Sequence, residues 1–450
     1  MTPPGETPTG IRQPSGLLKI LGVGFGLAVL VGNSIGMGIL RTPGEVAAQL
    51  PSVPLYMAAW VVGALYALLG ALSVAELGAM HPRSGGLYPL VHRGLGPFLG
   101  FVSGWTDWIA TCCSMAAVAI VIGEYCGPLW APLVGHEALI ASTVVIGFAV
   151  LQWRGIRIGS VAQMLTSLIK GLALIGLAAV VWLVSANTTP EPPVAAAAPS
   201  LAVGMAFAAA VVVALQSVIF TYDGWTGPVY FGEEVRDPGR DIPRSMIAGV
   251  LLVLGIYLAL NLAFLQAVPI AELAGDPFVA ATVAERLFGP AGDSVLRVLM
   301  LISLIAAISA VQLMASRIPF AMSRDRLAPA LFGRVNAGGT PLPALLAGTV
   351  LALAFIASNT FNTVLALLAF FFVANYVLTF TALFVLRRRE PDAPRPFRVP
   401  LYPWVPGIAL AGSLAFLGAA IVNDTDHSLM ALAMLGLSWP AYWLTRRLNG

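Results

Sequence analysis

The stretch Leu21–Glu45, LGVGFGLAVLVGNSIGMGILRTPGE, decides how the rest of the chain is read. It is apolar and long enough to cross a membrane, yet Gly32, Gly36 and Gly38 crowd its middle, with Asn33 and Ser34 between them. Each glycine costs a helix about 1 kcal/mol relative to alanine. The run therefore predicts a helix broken at mid-membrane. Broken backbone is tolerated at that depth only where it is buried in protein or lines a wet cavity. A second break is expected at Thr221-Tyr222-Asp223-Gly224-Trp225-Thr226-Gly227-Pro228, about 190 residues later. Two interrupted apolar segments in corresponding halves of a chain point to a transporter's binding site.

Composition supports a membrane setting. Of 450 residues, 58% are hydrophobic and 10% charged, and the mean hydropathy is +0.87. An average soluble domain carries about 25% charged residues. The polar, Pro/Thr/Gly-rich start lacks the basic end, apolar run and cleavage site of a signal peptide; it reads as a disordered cytoplasmic tail over residues 1–17. Twelve apolar segments are long enough to span: 19–45, 54–79, 97–126, 137–153, 158–185, 203–231, 244–267, 294–316, 341–357, 361–386, 403–423 and 428–445. With both termini inside, 20 of the 24 Lys and Arg fall on the cytoplasmic side, as the positive-inside rule demands. Removing one span would scramble that alternation. No soluble domain is expected. The external segment 186–202 is expected to be mobile, 268–293 to lie as a short helix over the outer mouth, and 232–243 to form a structured turn.

The flanks of the two breaks carry a specific resemblance. Gly32-Asn33-Ser34-Ile35-Gly36-Met37-Gly38-Ile39-Leu40 with Arg41-Thr42-Pro43-Gly44 resembles the first-helix signature of the amino acid–polyamine–organocation (APC) superfamily. Ala75-Glu76-Leu77-Gly78 and Pro82-Arg83-Ser84-Gly85-Gly86-Leu87-Tyr88 resemble the end of its second helix and the loop beyond. Phe220-Thr221-Tyr222-Asp223-Gly224-Trp225, followed by Glu233-Glu234-Val235 and Asp237-Pro238, is similar to the sixth-helix signature of the L-type amino acid transporter branch. Ala315-Ser316-Arg317, Ser323-Arg324-Asp325 and Leu327-Ala328-Pro329 match the loop after the eighth helix. The resemblance runs from about Leu18 to Arg398, nearest to prokaryotic relatives of that branch.

It implies an all-α membrane protein of the leucine-transporter type. Twelve transmembrane helices would form a 5+5 inverted repeat, 18–186 and 203–390, with helices 1 and 6 discontinuous and two peripheral helices over 400–446. It also implies a secondary transporter of amino acids working by alternating access. The substrate would sit between the breaks, against Asn33, Ser34, Ile35, Gly36, Met37, Gly38, Ile39, Phe220, Thr221, Tyr222, Asp223 and Trp225. Physical chemistry agrees in outline. N–H groups freed at the start of the outer half of helix 1 suit a carboxylate, and carbonyls released at the end of its inner half and around 220–223 suit an ammonium. Met37 stands where the family commonly has serine, so binding there rests on backbone N–H groups. Ser34 either joins the site or satisfies its own helix. Phe220 matches the aromatic gate over the substrate, with plain core packing as the alternative.

Asp223 is a carboxylate at a midplane break and so a functional candidate by default, whether it meets substrate, titrates or caps the inner backbone. Lys170 lies deep in the fifth span. In related transporters a lysine there stands in for a sodium ion between helices 1 and 8, which implies sodium-independent transport. Its amine would bond carbonyls near Gly32 and hydroxyls of helix 8, Ser303 or Ser309. Proton coupling through Lys170 and a static ammonium strut both fit. Asp107 is expected to pair with a cytoplasmic arginine, and Asn375 to steady helix packing. Glu76, Arg83, Glu233, Glu234 and Arg317 read as a cytoplasmic closing network of unassigned pairs.

The favoured cargo is small to medium neutral amino acids; cationic amino acids or polyamines, moved by exchange or with protons, are the alternative. An enzyme would need convergent ionisable groups, but His81, His92, His136 and His427 are expected in loops. A channel would show filter rings, and none is evident. No ATP-binding loop, cofactor, metal site or nucleic-acid partner is expected. Cys112, Cys113 and Cys126 read as small buried hydrophobes. Eukaryotic L-type relatives join a glycoprotein partner through a cysteine between helices 3 and 4; residues 127–136 hold none, with Cys126 at the edge, so the resemblance implies no disulfide-linked heavy chain. The partners are amino acid substrate and membrane lipid, with a homo-oligomer left open. Arg-rich, compact loops suggest a bacterial inner membrane.

Overall fold

The computed structural model describes residues 11–12, 16–36, 38–187, 204–276, 278–358, 361–423 and 425–449. Met37, most of the N-terminal tail and nearly all of the external segment expected over 186–202 lie outside the described residues.

The protein is all-helical apart from two short strands. Ile11–Arg12 (β1) pairs antiparallel with Leu18–Lys19 (β2). Leu17 between them is fully buried against Phe320 and Ala344. The tail expected to be disordered over 1–17 is therefore anchored at its inner end, because Leu17 finds an apolar socket. The helices follow as α1 (Val23–Ser34), α2 (Gly38–Gln49), α3 (Val53–Met80), α4 (Tyr88–Leu95), α5 (Pro97–Leu129), α6 (Glu137–Trp153) and α7 (Ile156–Asn187). After these come α8 (Met205–Tyr222), α9 (Pro238–Ala267), α10 (Ile270–Leu273), α11 (Val279–Phe288), α12 (Gly292–Arg324), α13 (Leu342–Ser358), α14 (Phe361–Arg389), α15 (Trp404–Asn423) and α16 (Thr425–Asn449).

Among the described residues, eight helices are long and apolar enough to cross a membrane, or nine if the bent pair α1–α2 is one span. This is a multi-pass membrane protein. At 28 residues, α3 is about 42 Å long by helix rise, more than a hydrocarbon core of about 30 Å. The shorter apolar helices α6 and α13 have 17 residues each; α16, expected as the last span, is not among the eight. The sixth segment breaks where expected: α8 stops at Tyr222, Asp223 and Gly224 interrupt it, and a separate 3-10 turn follows over Gly227–Tyr230. His92 and His427 lie within α4 and α16, not in loops.

Burial sorts the helices. In α12, 72% of the most apolar window is buried inside the protein, against 28% in α8 and 28% in α15. So α12 is central, packed along α5 and α7, while α8 and α15 turn apolar flanks outward. Exposed Leu172, Leu183 and Val350 form part of the lipid-facing coat. Lipid is as apolar as leucine, so close packing with small residues, and not the hydrophobic effect, holds such helices together. The bent pair sits inside this frame: α1 packs on α7, α9 and α12, and α2 on α8. Outside the bundle, α10 and α11 make the expected helical cover over 268–293, tied to α2 where the Gly275 N–H donates to the Gly44 carbonyl at 3.0 Å.

Candidate functional site

The two breaks meet. The axes of α1 and α2 differ by 50° across residues 35–37. Opposite, α8 ends at Tyr222 and Gly224 adopts φ +108°, a conformation costly for any residue with a Cβ. A Cβ on Gly224 would also stand 2.8 Å from the Ser34 nitrogen, so both backbone shape and closeness require glycine. The Asn33 amide reaches the Gly224 carbonyl at 3.5 Å. Thr42 and Thr221 share a hydroxyl–hydroxyl bond of 2.8 Å. From α9, the Tyr257 hydroxyl lies 2.9 Å from both the Ser34 and the Thr221 carbonyls, linking the last carbonyls of the two broken helices.

Lys170, fully buried on α7, braces the first break: its Nζ donates to the Gly32 carbonyl at 3.0 Å and to the Ile35 carbonyl. Ser303 on α12 bonds the same Ile35 carbonyl at 3.3 Å. The Ser309 hydroxyl is buried and has no hydrogen-bond partner among the described residues. One and two turns earlier on α7, Ser167 and Gln163 donate to the Ala28 carbonyl at 2.7 and 3.2 Å, and Gln163 also reaches the Ala306 carbonyl at 3.3 Å. Sequence reading missed Gln163 and Ser167. Their i, i+4 and i+7 spacing with Lys170 on an apolar helix is a polar stripe that would have exposed them.

A cavity of about 470 Å³ opens from the breaks along α2 and α8, within the usual range for small-molecule sites. Asn33, Ser34, Gly36, Gly38, Phe220, Thr221 and Asp223 line it, with Arg41 and Glu45 also on its wall. Not every expected residue reaches it. Ile35 and Ile39 are fully buried in the core. Tyr222 turns away, its ring 4.9 Å from Tyr257 and 6.3 Å from Trp60. Trp225 packs 4.8 Å from Tyr376 and faces a smaller pocket beside the main one, where Phe220 and Asp223 recur. Asp223 accepts a hydrogen bond from Tyr376 on α14. The carbonyls expected to take an ammonium are partly engaged: those of Ser34 and Thr221 by Tyr257, those of Gly32 and Ile35 by Lys170.

Asp107 pairs with no arginine among the described residues. It is buried on α5, and both its oxygens accept from the Tyr230 hydroxyl at 2.8 Å; a shared hydroxyl satisfies a carboxyl that no cation is close enough to reach. Asn375 joins α14 to α5 by donating to Thr106 at 3.1 Å.

The far side of the breaks is sealed by ion pairs. Arg317 grips Glu234 with two parallel bonds of 3.0 Å, both side chains fully buried and the guanidinium 5.1 Å from the Phe231 ring centre. Burial pushes the Glu234 carboxyl up and Arg317 pulls it back. Glu76 pairs with Arg387 and Arg395 and accepts the Val399 N–H at 2.8 Å. Asp325 takes Arg83 at 3.1 Å and the Tyr88 hydroxyl at 2.7 Å, and Arg324 meets Glu233. The pairs that the sequence left unassigned are thus Glu234 with Arg317, Glu233 with Arg324, and Arg83 with Asp325, while Glu76 pairs with Arg387 of α14 and Arg395 beyond it.

A family model described as amino acid permease matches residues 21–439. The chain belongs to this family. As an amino acid permease of the APC superfamily it resembles the L-type branch across most of its length. It is 30% identical over 441 residues to the serine/threonine exchanger SteT of Bacillus subtilis, covering 96% of this chain and 98% of that one. The b(0,+)-type amino acid transporter 1 of Mus musculus is 28% identical over 420 residues, with 92% and 84% covered. The human large neutral amino acids transporter small subunit 2 is 27% identical over 404 residues, with 86% and 73% covered.

Proposed function

We propose that this amino acid permease is a sodium-independent exchanger of small to medium neutral amino acids in a bacterial inner membrane, with both termini cytoplasmic. The observation that carries the reading is the cavity along α2 and α8: two helix ends meet at its base, and the Lys170 amine is lodged behind the first. On this reading α1–α2 together are the first of twelve spans, α3 and α5–α7 complete one repeat, and α8, α9 and α12–α14 form the second. The helices α15 and α16 are peripheral. The cavity is then outward-open, since Arg41 and Glu45 lie on the outer half of the first span and the ion-pair layer lies on the cytoplasmic side.

The substrate carboxylate sits at the start of α2, where the first N–H groups lack intrahelical partners and the helix dipole favours an anion. Its ammonium meets Asp223. Lys170 places its amine, a hydrogen-bond donor to the Gly32 and Ile35 carbonyls, where a sodium ion would otherwise be needed. Phe220, about one third exposed, closes over the substrate. Similarity to a serine/threonine exchanger of matched length supports exchange of small polar or neutral amino acids. A second reading, transport of cationic amino acids, is favoured by Asp223 alone, because the same carboxylate could take a side-chain ammonium.

The test is uptake of radiolabelled amino acids into proteoliposomes, with and without internal amino acid, sodium and a pH gradient. Exchange predicts uptake only with internal amino acid and no response to sodium. Absence of uptake for every amino acid would refute the proposal. Asp223→Asn separates the two substrate readings: loss for all substrates places the α-ammonium on Asp223, and loss confined to lysine and arginine places the side chain there.

A further inference from the structure

Away from the transport site, the start of α9 carries arginines at every fourth position: Arg236 just before the helix, then Arg240 and Arg244 within it. All three are exposed, and none has an ion-pair partner among the described residues. On the same face Arg83, Arg93, Arg317, Arg324, Arg387 and Arg395 are committed to carboxylates; the three arginines at the start of α9 are not. Arg240 and Arg244 border a groove of about 460 Å³ whose other wall is Pro396 and Phe397, from the segment after α14. Asp237 and Asp241, the adjacent acids, are not on its lining. The groove continues over Ile247, Ala248 and Leu251. Leu251, 50% exposed, lies seven residues beyond Arg244, about 10 Å along the helix, where α9 joins the lipid-facing surface.

A cationic rim running directly into an apolar trough matches a molecule with an anionic head and a hydrocarbon tail. Guanidinium forks bind phosphate oxygens in pairs, and basic pockets at the cytoplasmic edge of a bundle suit acidic headgroups. We propose that this groove is a binding site for one anionic phospholipid of the surrounding leaflet. Its phosphate lies between Arg240 and Arg244, and one acyl chain runs along Ile247 and Leu251. A free phosphate would use only the rim; the apolar floor, continuous with the lipid-facing flank, selects the lipid. The site is built on the helix that carries Tyr257, so an occupant steadies the element that links the two breaks.

The full chain in neutral detergent is titrated with phosphatidylglycerol, and in parallel with phosphatidylcholine and with inorganic phosphate. Bound lipid is counted by native mass spectrometry and thermal stability is followed. Each arginine beside an anionic headgroup is worth roughly fivefold in affinity, so Arg240→Gln/Arg244→Gln should bind phosphatidylglycerol about 25-fold more weakly. Arg334→Gln/Arg447→Gln, which removes equal charge elsewhere, should bind it normally. Ala248→Phe, which keeps both arginines and fills the trough, should also lose the lipid, so the test survives if the double variant fails to fold. The proposal is overturned if phosphatidylcholine binds equally, if inorganic phosphate gives the same stabilisation, or if the groove variants behave like the control.

Discussion

Arg317→Met offers the most direct test of the ion-pair layer as the closed door of the permease. Methionine keeps the bulk against Phe231 but strands the Glu234 carboxylate, which has no exposure to water. Removing one partner of a buried pair costs about 3–5 kcal/mol. In a conformation that opens this face, Glu234 would be hydrated and the cost would vanish, so the variant should favour opening by roughly 3 kcal/mol or a factor of about 150. The other ion pairs resist, so an observed shift of about tenfold or more is the expectation. The reporter is Ser84→Cys in a Cys126→Ser background; Ser84 is fully buried beside Glu233, and the native Cys112 and Cys113 are buried. Its reaction rate with a hydrophilic maleimide should rise in Arg317→Met. It should fall most of the way back in Arg317→Met/Glu234→Gln, where no charge is left stranded. Labelling at the parent rate in Arg317→Met would refute the reasoning. So would a double variant that labels as fast as the single one, which would trace the effect to lost packing.

Three further outcomes follow from the geometry. Gly32→Ala should destabilise the protein by about 1–3 kcal/mol, read by thermal unfolding in detergent, because its Cβ would stand 2.2 Å from the Gln163 amide and 2.8 Å from the Ser167 hydroxyl. Gln163→Ala should recover part of that loss. Lys170→Met should impair transport by freeing the Gly32 and Ile35 carbonyls in a buried site; unchanged uptake at every pH would remove Lys170 from the mechanism. His81, capping α3, is held down to about 4 by burial first and by Arg93 and Arg83 next, with Arg93 donating to its Nδ1 at 2.9 Å. Its folded value lies below its ordinary 6.5, so its contribution is complete above pH 6.5 and is lost as pH falls towards 4. His81→Gln should flatten thermal stability over that window; an unchanged pH profile would show that other groups control it.

The helix frame was legible because apolar runs bounded by polar punctuation are a local property. The fourth expected segment and α6 share the same ends, 137 and 153. The first break was legible for the same reason, as three glycines in seven residues. What the sequence could not convey was which polar groups meet across the bundle. Asp107 finds Tyr230, 123 positions away, and Glu76 finds Arg387, 311 positions away; nothing local specifies either choice. The second break was legible too, as Asp223, Gly224 and Pro228 inside an apolar run; the positive φ of Gly224 was not. Tyr222 and Trp225 looked equivalent to the lining residues because an aromatic near a break reads the same whether it faces the cavity or the packing behind it.

The hydroxyl of Tyr257 has one proton and two carbonyls within reach, one from each broken helix. Neither broken helix can withdraw from the other without one of the two carbonyls losing that hydroxyl. The two inner ends are therefore fastened into one plate, and α9 moves with them. If the permease rocks, the ends of α1 and α8 should move together with α9 at this joint. The Tyr257 contacts should then look the same at both extremes of the cycle, while the ion pairs of Arg317 and Glu76 exchange partners or come apart. The residues at the centre of the chemistry would be those that shift least relative to one another.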